Sequence, residues 1–110
     1  MADEAIVKSV QNFLRVVQQD GIPVSFGVLF GSYARGDARQ WSDIDVLVVS
    51  QQYDKSKTRE DAFKLSRIAA RTDSRIEPFA VGEKQFELNE SDNMIVAMAR
   101  REGQIIPLAE

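Results

Sequence analysis

The chain of 110 residues contains neither histidine nor cysteine. Without cysteine there is no disulfide framework and no zinc finger, and without histidine no Ser-His-Asp or Cys-His constellation. Any chemistry must therefore run on carboxylates, metals and substrate phosphates. Positive charge is also scarce: 14 basic residues against 17 acidic give a net charge of −3, and the basic residues are scattered. A nucleic-acid groove is not expected from that pattern. Long apolar runs are missing as well, and Met1-Ala2-Asp3-Glu4 is acidic where a signal peptide would be basic. A cytoplasmic protein without membrane contact is the expectation. Hydrophobic residues make up 44% of the chain, enough for a modest core, and no linker or repeat divides it. Residues 1–110 are thus read as a single domain.

What is present is concentrated in one stretch. Asp43-Ile44-Asp45 opens the apolar run Val46-Leu47-Val48-Val49, placing two carboxylates on what reads as a core strand. Burying an ionised carboxylate costs several kcal/mol unless a cation or a dense set of donors offsets it. Strand side chains alternate, so Asp43 and Asp45 share a face, with their positions roughly 6.5–7 Å apart. Flexible carboxylates at that span can close on one or two hard cations. Oxygen-only ligation suits Mg²⁺ or Mn²⁺ and argues against zinc.

Upstream, Phe26-Gly27-Val28-Leu29-Phe30 reads as a strand running into Gly31-Ser32 and the helix-like Tyr33-Ala34-Arg35. Glycine lets the backbone turn sharply, and free N–H groups with the Ser32 hydroxyl suit a phosphate. One half of the stretch can hold a nucleotide's triphosphate and the other the metals that bridge it.

Gly31-Ser32-Tyr33-Ala34-Arg35-Gly36 and, ten residues after the serine, Asp43-Ile44-Asp45 together resemble the signature of the minimal nucleotidyltransferase family in the DNA polymerase β superfamily. The family's third acid lies on a later strand, and Ser74-Arg75-Ile76-Glu77-Pro78-Phe79-Ala80-Val81 supplies Glu77. Two departures accompany it: glutamate stands where aspartate is common, and Pro78 follows. Proline cannot donate to a ladder, so this strand is expected to lie at an edge or to have its N–H side open.

Hydrophobic spacing predicts a helix over 3–19, strands over 24–30, 43–49 and 75–81, and a helix over 54–71 capped at Ser56 or Thr58 with Phe63, Leu65, Ile68 and Ala69 as contacts. A helical turn at 83–88 and a last helix over 91–101, ended by Gly103, follow; 104–108 reads as extended or tail-like. Trp41 is expected to pack its loop against the sheet, and Met94, Ile95 and Met98 to be core. Arg39 is read as solvated. The resulting class is α/β, a two-layer nucleotidyltransferase palm with a small mixed sheet.

The resemblance implies transfer of AMP from ATP to a hydroxyl, with two Mg²⁺ ions (Mn²⁺ as substitute) held by Asp43, Asp45 and Glu77. Gly31, Ser32 and Arg35 would bind the nucleotide, and Glu77 could also serve as general base. It further implies an antitoxin that adenylylates a HEPN-type ribonuclease toxin. The alternatives are a binding antitoxin acting by occlusion, a stand-alone adenylyltransferase for small molecules such as aminoglycosides, and a subunit that only senses ATP.

Overall fold

A computed structural model describes residues 2–88 and 93–108. The first helix, α1 (Glu4–Gln19), is capped by the Asp3 carboxylate, which accepts from the Ala5 N–H. Its buried stripe is Ile6, Val10, Phe13, Leu14 and Val17, the spacing that puts side chains on one helical face. Strand β1 (Phe26–Phe30) follows, then the single turn α2 (Ser32–Arg35) and strand β2 (Ile44–Ser50).

The helix expected over 54–71 is two helices, α3 (Gln52–Lys55) and α4 (Arg59–Thr72), broken where Ser56 turns extended. Thr58 and Asp61 form a reciprocal capping box that restarts the helix, satisfying two otherwise orphaned N–H groups. Leu65, Ile68 and Ala69 are buried, whereas Phe63 is half exposed and is not a core contact. Strand β3 (Ile76–Gly82) leads into α5 (Glu83–Leu88), and α6 (Met94–Glu102) begins at an Asn93 cap. Residues 91 and 92 of the expected last helix lie outside the described residues. Met94 is exposed rather than core, while Ile95 and Met98 pack at the rim of the cluster beneath α6.

The segment after Gly103 forms β4 (Gln104–Ile106), which pairs antiparallel with β1. A Cβ on Gly103 would fall 2.3 Å from the Ala99 carbonyl oxygen and 2.5 Å from a Val28 methyl. Only glycine lets α6 turn so closely onto β1. The sheet order is β3-β2-β1-β4, with β2 and β3 parallel and the other pairs antiparallel. Helices α1 and α4 bury one face around Leu29, Ile44, Val46 and Val48; α5 and α6 cover the other around Val28, Leu47 and Val49. Burial from both sides explains why β2 reads as an unbroken apolar run.

As Pro78 predicts, β3 is an edge strand. Backbone groups alternate sides along a strand, so Pro78, Ala80 and Gly82 face outward. Pro78 has no N–H to expose, the Ala80 carbonyl accepts from Lys57 Nζ at 3.3 Å, and the Gly82 N–H donates to Gln85 Oε1 at 3.2 Å. Among the described residues no helix is long and apolar enough to cross a membrane.

Candidate nucleotide and metal site

Register brings the acids together. Asp45 stands beside Phe30 on one side and Glu77 on the other, in the pairings of β2 with β1 and β3. Cross-strand partners project to the same face, so Asp45 and Glu77 are neighbours. Asp43 precedes β2 and is exposed, yet its carboxyl comes near enough to that of Glu77 to push the latter up. Asp45 is half-buried, and Glu77 reaches solvent from the edge strand.

The electrostatics show a site crowded with like charge. Burial, then the Asp43 charge, pushes the Asp45 carboxyl above the ordinary range; Glu102 adds to the rise and Arg35 opposes it. Glu77 is raised by desolvation, then by its hydrogen bond with Asp43 and the charges of Asp45 and Asp43. Both effects penalise the ionised form.

The Gly31-Ser32 turn closes on the same place. Gly31 is buried with φ at 76°, and a Cβ there would stand 2.2 Å from Asp45 Oδ2. The Ser32 side chain is half-buried and takes no protein partner among the described residues. Arg35 ends α2, pairing with Asp37 at 3.2 Å and with Glu102 at 2.9 Å. Water screens the pair with Asp37, whose partners are both exposed, and leaves it little stabilising value, whereas the Glu102 carboxylate is only 19% exposed. All six residues singled out by the sequence thus lie in one locus.

Among the described residues no three His, Cys, Asp or Glu side chains converge tightly enough to enclose a cation as they stand. The donor set nevertheless fits a hard divalent ion: carboxylate oxygens only, with the Asp43 charge acting on both Asp45 and Glu77. Asp43, Asp45 and Glu77 are the residues that could hold it.

Glu102 is the residue that sequence reasoning missed. Its Oε1 accepts from the Gly31 N–H at 3.3 Å as well as from Arg35. No local pattern marks it, because it arrives only through the docking of α6. Arg39 is exposed, as expected; Trp41, expected to pack, is 87% exposed. Its turn is closed without it, by Ser42 N–H to the Arg39 carbonyl and Arg39 N–H to Ser42 Oγ. A polar cleft of about 420 Å³ opens beside the acids, lined by Asp43, Glu77, Ser66, Ala70, Arg75 and Pro78 among others. The roomier depression of about 570 Å³ between α1 and β1 contains no carboxylate.

The sheet and helices match solved nucleotidyltransferase structures. A candidate nucleotidyltransferase from Sulfolobus solfataricus superposes with a TM-score of 0.63 at 18% identity, covering 92% of this chain and 78% of that one. A toxin–antitoxin complex with AMP-PNP gives 0.61 at 22% identity, over 91% and 74% of the two chains. A variant of the MntA–HpeT toxin–antitoxin gives 0.59 at 20% identity, over 91% and 74%. In sequence, a candidate protein adenylyltransferase of Methanocaldococcus jannaschii is 40% identical over 52 residues, which is 46% of this chain and 52% of the relative. The match thus spans about half the length of that relative. The nucleotidyltransferase domain model matches residues 10–97. With an acid-lined strand pair, a glycine-serine turn closed on it and a family match over most of its length, the chain belongs to the nucleotidyltransferase domain family.

Proposed function

We propose that the protein transfers AMP from ATP to a hydroxyl of a partner protein in the cytoplasm, acting as the antitoxin that adenylylates a HEPN-type ribonuclease toxin. The observation that carries the reading is the placement of Asp45 beside Glu77 in the β2–β3 register, with the Gly31 turn closed on Asp45. The similarity to a candidate protein adenylyltransferase and to toxin–antitoxin structures supports the choice of acceptor.

Asp43, Asp45 and Glu77 would hold the divalent ions, Mg²⁺ in the first instance. When bound, these ions supply charge for the leaving pyrophosphate and lower the pKa of the acceptor hydroxyl. The chain's own residues do the positioning. Ser32 and Arg35 offer a hydroxyl and a guanidinium to phosphate oxygens. Glu77, already raised in proton affinity, would take the acceptor's proton. The acceptor side chain would approach through the polar cleft that Asp43 and Glu77 line. In-line transfer needs little more than this orientation and charge compensation.

The test is incubation with Mg-ATP and the protein encoded by the adjacent reading frame, read by intact-mass spectrometry. The partner should gain the mass of one or more AMP units and stay inactive after separation. Equal inhibition by the Asp45→Asn variant, with no mass added, would replace this reading by occlusion.

A further inference from the structure

Two donors converge on a single oxygen of Glu102. The Gly31 N–H reaches Oε1 at 3.3 Å and Arg35 Nη1 reaches it at 2.9 Å. The side chain is 19% exposed, tucked from the end of α6 into the turn between β1 and α2. It lies close enough to the like-charged Asp45 to push that carboxyl up. A carboxylate held against that repulsion points to donors that require an anion. Those donors are the ones the proposed nucleotide would use.

We propose that Glu102 is a built-in occupant of the nucleotide's anion seat, whose carboxylate must leave the Gly31 N–H and Arg35 before phosphate oxygens can take them. This inference rests on the nucleotide-binding reading above. Glu102 is therefore a residue that sets affinity for the substrate while taking no part in the transfer. A polyphosphate brings more oxygens than one carboxylate and a divalent ion that relieves the repulsion, so it wins the exchange. Glu102 lies at the end of α6, directly before Gly103 and β4, so the displacement starts at a fixed point of the fold.

The test compares binding of Mg-AMP-PNP by calorimetry to the wild type, Glu102→Gln and Glu102→Asp. Glutamine keeps the shape but loses the charge that grips Arg35; aspartate keeps the charge but is one methylene short of reaching both donors. Melting curves without ligand establish that each variant is folded, and the isosteric glutamine is the safer of the two. Both variants should bind about fivefold or more tightly than wild type, a typical size for coupled binding. Tightening in Glu102→Gln with wild-type affinity in Glu102→Asp would mean that charge alone acts, overturning the seat. Unchanged or weaker binding by Glu102→Gln would overturn it as well. Failure of the wild type and both variants to bind would instead remove the nucleotide site itself.

Discussion

The carboxylate of Asp45 stands where a side chain on Gly31 would begin, with Oδ2 2.2 Å from the Cβ position. Gly31→Ala therefore meets two obstacles, since φ is 76°. The backbone conformation alone costs a non-glycine residue about 1–3 kcal/mol. We expect Gly31→Ala to lower Tm by several degrees and to abolish the Tm increase that Mg-AMP-PNP gives the wild type. That increase should correspond to about 2.7 kcal/mol at a hundredfold excess over Kd.

Asp45→Asn and Asp43→Asn keep size while removing the charge that would hold a cation. Each should cut AMP transfer at least about 10²–10³-fold, the scale of losing one electrostatic group from such a site. Ser32→Ala should cost only about tenfold, because one donor is lost and the rest stay. Asp45→Asn should also raise Tm in EDTA, and its pH dependence is a second check. The Asp45 carboxyl is raised in the folded state, so the folded protein binds more protons and stability falls as pH rises through the window above the ordinary carboxylate value. The stabilising effect of Asp45→Asn should accordingly be larger at pH 7 than at pH 4.

Asp73 behaves in the opposite sense. The Arg75 guanidinium, at 2.7 Å, and then the Ser9 hydroxyl hold its carboxyl well below the ordinary range. Its contribution is complete above the unfolded value of about 3.9 and is lost as pH falls below that. Asp73→Ala should destabilise the protein by about 1–2 kcal/mol at pH 7. The difference from wild type in urea melts should shrink progressively below about pH 4.

Tyr53 is 4% exposed, and its hydroxyl finds no partner among the described residues. Burial pushes its pKa up to about 12. Removing an unsatisfied buried hydroxyl relieves a desolvation cost, so Tyr53→Phe should stabilise the protein by about 1 kcal/mol, or a few degrees in Tm. Thermal melts of the two proteins decide the matter; a loss of stability would mean that the hydroxyl is satisfied.

Trp41 is the only tryptophan and is 87% exposed. Its emission should resemble that of free tryptophan in water and be quenched readily by acrylamide. Trp41→Ala should leave Tm within about 1 kcal/mol of wild type in stability terms, as surface substitutions do. A blue-shifted, protected emission would contradict the exposed position.

Strong periodicity made α1 readable to within a residue at its start, and the doubly covered β2 announced itself as an apolar run. Pro78 alone placed β3 at an edge. The break between α3 and α4 was harder, because the residues from Asp54 to Arg71 read as one helical run although the cap at Thr58 restarts the helix inside it. Strand β4 is only three residues long and owes its existence to pairing with β1, which no local preference encodes. At the candidate site, the two aspartates and the glycine-serine turn were legible because carboxylates opening an apolar run, and their spacing, are local signals; Asp43, expected on the strand, lies just before it and is exposed. Glu102 was not, since its place depends on where α6 docks. The exposure of Trp41 and Met94 likewise follows from what the fold leaves uncovered, which residue type does not disclose.

The open edge of β3 has a consequence for how this sheet meets other chains. A bare edge strand is a template for another strand, and such templates drive domain swapping and fibre growth. Here Pro78 offers no N–H, Lys57 occupies the Ala80 carbonyl and Gln85 occupies the Gly82 N–H. A fifth strand would have to displace both side chains and would still lack a bond at the proline. The edge is thus blunted against backbone extension of the sheet.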